Sequence, residues 1–161
     1  MNEKKQIIAV IDDVYEDAEI LRRCLQTIPD LEFEVVHFFD ANEAFESLQR
    51  LDVDLIFLDY LLGETSGIDL LRKLRLSGDI RPIIIYTGQA NQYIVAEMMR
   101  SGADDYLDKN DLHAAIIQRS MAIAAAQYVE RLNMQDNSES QTFVQQPILV
   151  SAIQQNQQHK A

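Results

Sequence analysis

Three aspartates, a threonine and a lysine stand where short apolar runs stop, and together they supply the groups needed to hold a phosphate beside a hard cation. Ile7–Ile11 is followed at once by Asp12 and Asp13, Leu55–Leu58 by Asp59, Ile83–Tyr86 by Thr87, and Leu107 by Lys109 two residues on. If the fold gathers them, three carboxylates share one ammonium. Carboxylates crowded in this way repel, so one must take up a proton or all must share a divalent cation. An all-oxygen set that leaves room for water suits Mg²⁺ or Mn²⁺, whereas zinc prefers His and Cys. A phosphate arriving there would meet a cation, an ammonium and a hydroxyl, and a carboxylate between them can attack phosphorus to give an acyl phosphate. Each residue also has a plainer reading. Asp12 and Asp13 can cap a helix, Asp59 can sit in a turn, Thr87 in a loop, and Lys109 can be a solvated charge. Four such accidents, in order, at four strand ends make the plain readings weak in combination.

The elements that would position these residues alternate regularly. Ile7–Ile11 is a continuous β-branched run, as expected of a strand covered on both faces. Ala18, Leu21, Leu25 and Ile28 recur at helical spacing until Pro29. Phe33–Phe38 predicts a second strand, and Asp40 caps a helix with the stripe Ala41, Ala44, Phe45 and Leu48. After the third strand, Leu55–Leu58, the segment Gly63 to Gly67 reads as a loop. It leads into a helix with Ile68, Leu71 and Leu74 inward, closed by Gly78. Pro82 opens the fourth strand, and Ile94, Val95, Met98 and Met99 mark a helix ending near Gly102. Asp105–Leu107 is a short fifth strand. The last helix is expected from near Asp111 to about Leu132, with Leu112, Ile116, Ile123 and Ala124 on one face.

Five strands alternating with five helices imply parallel pairing with right-handed crossovers. The expected fold is a doubly wound, flavodoxin-like α/β sheet in the order 2-1-3-4-5, with helices on both faces. Ligands in such sheets bind beyond the carboxyl ends of the strands, where the reactive residues fall.

Composition narrows the function further. The chain has 161 residues and a formal net charge of −12, which disfavours a nucleic-acid surface. Cys24 is the only cysteine, so no intrachain disulfide can form, and it is read as helix packing. The five-residue apolar run near the N-terminus ends in two aspartates, unlike a signal peptide, and no run approaches a bilayer span. A cytoplasmic protein is expected. Residues 1–132 form the folded domain on this reading. Residues 133–161 hold eight glutamines and are expected to be a disordered tail. Within the tail, Phe143 to Ile153 is an apolar island that could dock as a short helix begun at Pro147.

The runs IIAVIDD, LIFLDY, IIIYTG and DDYLDK resemble the four signature segments of response-regulator receiver domains, the chemotaxis-regulator-like family, over residues 6 to about 132. The resemblance implies that Asp59 is the phosphoacceptor of a two-component phosphorelay. It implies that Asp13, Asp59 and the backbone carbonyl of Leu61 bind Mg²⁺ directly, with Asp12 acting through a water. Lys109 would contact the phosphoryl group, Thr87 would swing its hydroxyl to it, and Tyr106 would turn inward behind it. The partners implied are a sensor histidine kinase or histidine phosphotransfer protein and a protein target. The target would meet the face of the fourth helix, fifth strand and fifth helix. A homodimer is left open, and neither DNA nor membrane is expected as a partner.

The family usually places a proline after the lysine, often with a cis bond; here Asn110 stands there. A cis bond before a non-proline costs about 2.5–4 kcal/mol, so the link is expected to be trans or strained. Leu61 and Gln89 occupy the positions that flank the hydrolytic water in the family. An apolar Leu61 cannot orient that water, so a long-lived phosphoaspartate is expected.

Competing classes fit less well. An aspartyl-phosphate hydrolase needs a second carboxylate two residues after its nucleophile, but Val14 and Tyr15 stand there. The segment DDVYED is no flavin phosphate loop, and a nucleotide P-loop is absent. The expected activity is therefore self-catalysed phosphoryl transfer and autodephosphorylation in a single-domain regulator, not turnover as an enzyme. The alternative is a pseudo-receiver that binds partners without phosphorylation.

Overall fold

Alternate residues of the first strand enter two different cores. Ile8 and Val10 face one helical layer, Ala9 and Ile11 the other, and all four are fully buried. That is why the run carries no polar alternation. In the computed structural model, which describes residues 4–158 and side chains as far as Glu139, strand β1 spans Gln6–Ile11 and β2 Phe33–Phe38. Strand β3 is Leu55–Asp59, β4 Leu61–Leu62, β5 Thr65–Ser66, β6 Ile83–Thr87 and β7 Asp105–Asp108. Helices α1 (Tyr15–Gln26), α2 (Ala41–Leu48), α3 (Gly67–Leu76), α4 (Gln92–Ser101) and α5 (Ala114–Gln158) connect and follow them.

The five long strands pair in parallel in the order β2-β1-β3-β6-β7, which is the expected 2-1-3-4-5 arrangement. Helices α1 and α5 cover one face through Leu21, Leu25, Ile117 and Ala124. Helices α2, α3 and α4 cover the other through Leu48, Leu71, Leu74 and Met98. Local signals act as expected at several ends. Asp40 accepts a hydrogen bond from the Glu43 N–H at 2.9 Å, and Gly102 closes α4 at φ +107°.

Three element boundaries differ from the sequence expectation. Leu61–Leu62 and Thr65–Ser66 pair as an antiparallel hairpin, with Gly63 at φ +61° in its turn, where a plain loop was expected. Two-residue strands are too short to show a period. The last helix starts at Ala114 instead of near Asp111, because Lys109–Asp111 forms a single 3-10 turn capped by Asp108. Among its described residues Ile117 and Ala124 are fully buried, and Ile116 is half-buried. Finally, the chain divides into two units at Tyr128 and Val129, and helical backbone continues past the expected end near Leu132 to Gln158. Gln, Glu and Met extend a nucleated helix at little cost, which polar composition alone does not reveal. The backbone passes through Pro147 without a new start; the side chains of Phe143–Ile153 lie outside those described.

At the amino ends of the strands, the Arg75 guanidinium ties the connections together. It donates to the carbonyls of Gly102 (3.0 Å), Asp79 (2.9 Å) and Arg81 (2.7 Å) and pairs with buried Asp104 at 3.1 Å. Asp104 also accepts the Ile83 N–H at 2.8 Å. Asp104→Asn keeps the shape but loses the charge opposite Arg75. It should lower stability by about 1–2 kcal/mol, read as a lower urea midpoint.

Candidate functional site

The carboxyl ends of β1, β3, β6 and β7 open into a cleft of about 320 Å³ lined by Asp13, Val14, Asp17, Asp59, Leu61, Gly63, Thr87, Gly88, Gln89 and Lys109. A larger hollow of about 480 Å³, lined by Lys5, Arg22, Gln26, Leu31, Glu32, Phe33 and Val35, lies at the amino ends of β1 and β2, away from these groups.

Asp12 is fully buried at the end of β1. One carboxylate oxygen accepts the Val14 N–H at 2.9 Å; the other accepts both the Tyr86 hydroxyl and Lys109 Nζ, the latter at 2.9 Å. Helix α1 has Val14 as its N-cap, without a side-chain cap, so neither Asp12 nor Asp13 serves as one. Asp13 is exposed and reaches into the cleft. Asp59 ends β3 almost buried, with Oδ1 accepting the Leu61 N–H at 3.3 Å and Oδ2 lying 3.1 Å from Lys109 Nζ. Carboxylate oxygens of Asp12, Asp13 and Asp59 all fall within 4.8 Å of one another.

The returning hairpin sets Asp59 in place. The Gly67 N–H donates to the Tyr60 carbonyl at 2.7 Å, and a Cβ on Gly67 would come within 2.0 Å of the Asp59 carbonyl oxygen. Only glycine permits that backbone approach.

Among the described residues, Lys109 is the only cation lining the cleft. The bond to Asn110 is trans, as are all peptide bonds among the described residues. Asp108 supplies the restraint: its Oδ1 accepts the Asn110 N–H at 2.8 Å, while Asn110 Nδ2 reaches the Gly88 carbonyl at 3.4 Å. The lysine is thereby aimed at three carboxylates, with the Tyr86 ring 4.7 Å below its ammonium.

Charge in the cleft is unbalanced. Burial, then the neighbouring Asp12 charge, push the Asp59 carboxyl up to about 7 against the pull of Lys109. Burial opposes the Lys109 charge, but hydrogen bonds to Asp17 and Asp12 outweigh it and raise the lysine above its ordinary value. Burial and the Asp12 charge likewise push the Tyr86 phenol up, so it remains a donor. An all-oxygen acidic cluster with a carboxyl this reluctant to ionise fits a hard divalent cation.

The remaining expected residues surround this centre. Thr87 is buried, and its hydroxyl oxygen accepts the Gln89 N–H at 3.2 Å. Leu61 is 44 % exposed and Gln89 is exposed, both lining the cleft. Tyr106 is 38 % exposed and is not among the lining residues. Cys24 is half-buried against α5-side packing, with Sγ 3.7 Å from the Leu112 carbonyl.

Two members were missed from sequence. Asp17 Oδ2 lies 2.8 Å from Lys109 Nζ; its position four residues after Asp13, in the first turn of α1, was the available signal. From sequence, Tyr86 is placed only as the last residue of the fourth strand, with no role assigned. A tyrosine ending an isoleucine run needs a partner for its hydroxyl, and Asp12 is that partner.

A doubly wound sheet with an acidic, lysine-bearing cleft at the carboxyl ends of its strands defines the class of α/β module to which the chain belongs. Comparison with known proteins gives the class its name. The response regulator receiver domain family model matches residues 8–120. The chain is 32 % identical to the two-component response regulator PhoP of Pseudomonas aeruginosa, over 88 % of this chain and 67 % of PhoP. It is 31 % identical to the regulatory protein VanR of Enterococcus faecium, but spans only 42 % of that protein's length. Its fold matches the receiver domain of a LuxO-type repressor protein from Vibrio parahaemolyticus with a TM-score of 0.67, covering 84 % of this chain and 98 % of that one at 21 % identity. A Burkholderia pseudomallei response regulator, solved with a phosphorylated aspartic acid, a calcium ion and citrate, matches with a TM-score of 0.62 at 26 % identity, covering 80 % and 75 %. The chain belongs to the response-regulator receiver family.

Proposed function

We propose that Asp59 accepts a phosphoryl group from a phosphohistidine on a sensor kinase or histidine phosphotransfer protein, and that the chain signals the change to a protein target. The observation that carries this reading is the pairing of a nearly buried Asp59 with Lys109, 3.1 Å apart, in a cleft that also holds Thr87. The phosphorylated aspartate in the Burkholderia relative supports it.

Asp13, Asp59 and the Leu61 carbonyl would hold Mg²⁺ or Mn²⁺, with Asp12 behind a water; the cation would offset charge on the phosphoryl oxygens. An Asp59 oxygen attacks phosphorus, the bond to the donor nitrogen breaks, and the imidazole leaves with the electron pair. Lys109 then turns one proton from Asp59 to the phosphoryl group. The Thr87 hydroxyl rotates towards the same group, and Tyr106 moves inward, altering the α4–β7–α5 face for a target. The acidic balance of the chain, −12 overall, supports a protein target over DNA. No helix among the described residues is long and apolar enough to cross a membrane, which is compatible with action in the cytoplasm. On this reading the protein is a phosphoacceptor that catalyses its own loading and unloading, not a turnover enzyme.

Intact-mass measurement after incubation with a small phosphodonor and Mg²⁺ should show one added phosphoryl group, absent with EDTA and absent in Asp59→Asn. No adduct after rapid quenching would favour a phosphorylation-independent interaction module. Leu61→Asn adds an amide able to orient the hydrolytic water. It should shorten the phosphoaspartate lifetime by roughly three- to tenfold, the value of one hydrogen bond of about 1 kcal/mol. An unchanged lifetime would remove Leu61 from that role.

A further inference from the structure

Lys109 Nζ donates hydrogen bonds to Asp12 at 2.9 Å and Asp17 at 2.8 Å and is ion-paired with Asp59 at 3.1 Å, so three carboxylates share one ammonium. Asp12 and Asp59 are the buried members, with side chains 0 % and 8 % exposed; Asp17 is 36 % exposed and lines the cleft. One ammonium shared three ways does not cancel the charge of Asp17. An incoming donor therefore passes a fixed negative charge that stands apart from the cluster of Asp12, Asp13 and Asp59.

Resting on the phosphoacceptor reading, we propose that Asp17 is a specificity-determining residue that favours phosphodonors leaving as a protonated nitrogen over acyl phosphates. In either reaction an Asp59 oxygen forms the new O–P bond. With phosphoramidate protonated on nitrogen, the P–N bond breaks and neutral ammonia departs with the bonding pair, keeping its three protons. The positive charge on the leaving side can lie against Asp17. With acetyl phosphate, the P–O bond breaks and acetate departs with the pair and needs no proton. That donor brings one more negative charge to the same carboxylate. One charge unit of difference in water-rich surroundings corresponds to roughly three- to tenfold in relative rate. Any effect of Asp17 on how Lys109 is held acts on both donors alike, so the ratio of rates isolates the charge.

The test times phosphoryl uptake by the full chain at pH 7 with Mg²⁺, using phosphoramidate and acetyl phosphate in parallel, for wild type, Asp17→Asn and Asp17→Ser. The phosphoramidate-to-acetyl-phosphate ratio should fall about three- to tenfold in both variants at low salt, with the difference shrinking at high salt. Rates that change by the same factor for both donors would overturn the inference and leave Asp17 as a lysine anchor alone. A wild-type chain loaded by neither donor would overturn the phosphoacceptor reading, and this inference with it.

Discussion

Metal-free protein carrying Asp59→Asn should be more stable than the wild type at pH 8 by about 2–4 kcal/mol, with the gap closing as pH falls towards 4. The Asp59 carboxyl is raised to about 7 in the fold, chiefly by burial and secondarily by the Asp12 charge. In the unfolded chain it titrates near ~3.9. A carboxyl raised in this way contributes stability that is fully present below the unfolded value and lost as pH rises through about 7. Roughly three units at about 1.4 kcal/mol each set the upper limit of that loss. Asparagine does not ionise and escapes it. Urea unfolding in EDTA from pH 4 to 8 measures the difference. A gap that does not vary with pH would show that Asp59 is not under this charge strain. Saturating Mg²⁺ should restore the wild type and leave the variant nearly unchanged, because only the wild type presents the third carboxylate.

Lys109→Met should slow phosphoryl uptake by about 100-fold or more and destabilise the metal-free protein by about 3–5 kcal/mol at neutral pH. Methionine keeps most of the stem and removes only the ammonium, leaving Asp12, Asp17 and Asp59 without their common donor. The lysine is raised above its ordinary value, so its contribution is fully present below the unfolded value of about 10.5 and is lost only at more alkaline pH. Between pH 5 and 9 the lysine is constant, and variation in the cost must come from the acids. The penalty should shrink towards pH 5 as Asp59 takes up a proton. Uptake within tenfold of wild type would mean that the ammonium does not assist transfer.

The contrast between what was and was not legible follows from how each residue is placed. Asp12, Asp13, Asp59, Thr87 and Lys109 follow apolar runs that mark strand ends, and a parallel sheet sends all those ends to one side. Their convergence needed only topology. Asp17 and Tyr86 depend on finer variables. Asp17 reaches Lys109 because α1 packs against the sheet with one particular rotation about its axis. The Tyr86 hydroxyl meets Asp12 because β1 and β6 flank β3 in one particular register. Helix phase and strand register are products of side-chain packing between segments distant in sequence, and no local period encodes them. The β4–β5 hairpin was missed for a different reason: four paired residues around Gly63 and Glu64 carry too little pattern to distinguish a hairpin from a loop.

The Arg75 cross-link lies at the end of the sheet remote from the cleft, and it makes the two ends mechanically unlike. One guanidinium binds three carbonyls from two connections, α3–β6 and α4–β7, and a buried carboxylate, none of which belongs to the acidic cleft. Whatever charge arrives at the other end, this floor has no reason to respond. On the proposed function, rearrangement is expected instead at the rim around Gly63, Gly88 and Asn110 and at Tyr106, none of which this guanidinium holds. A fastened floor beneath an unfastened rim would let a change of a single group at Asp59 be expressed as a local movement of surface, with global unfolding left as a separate and rarer event.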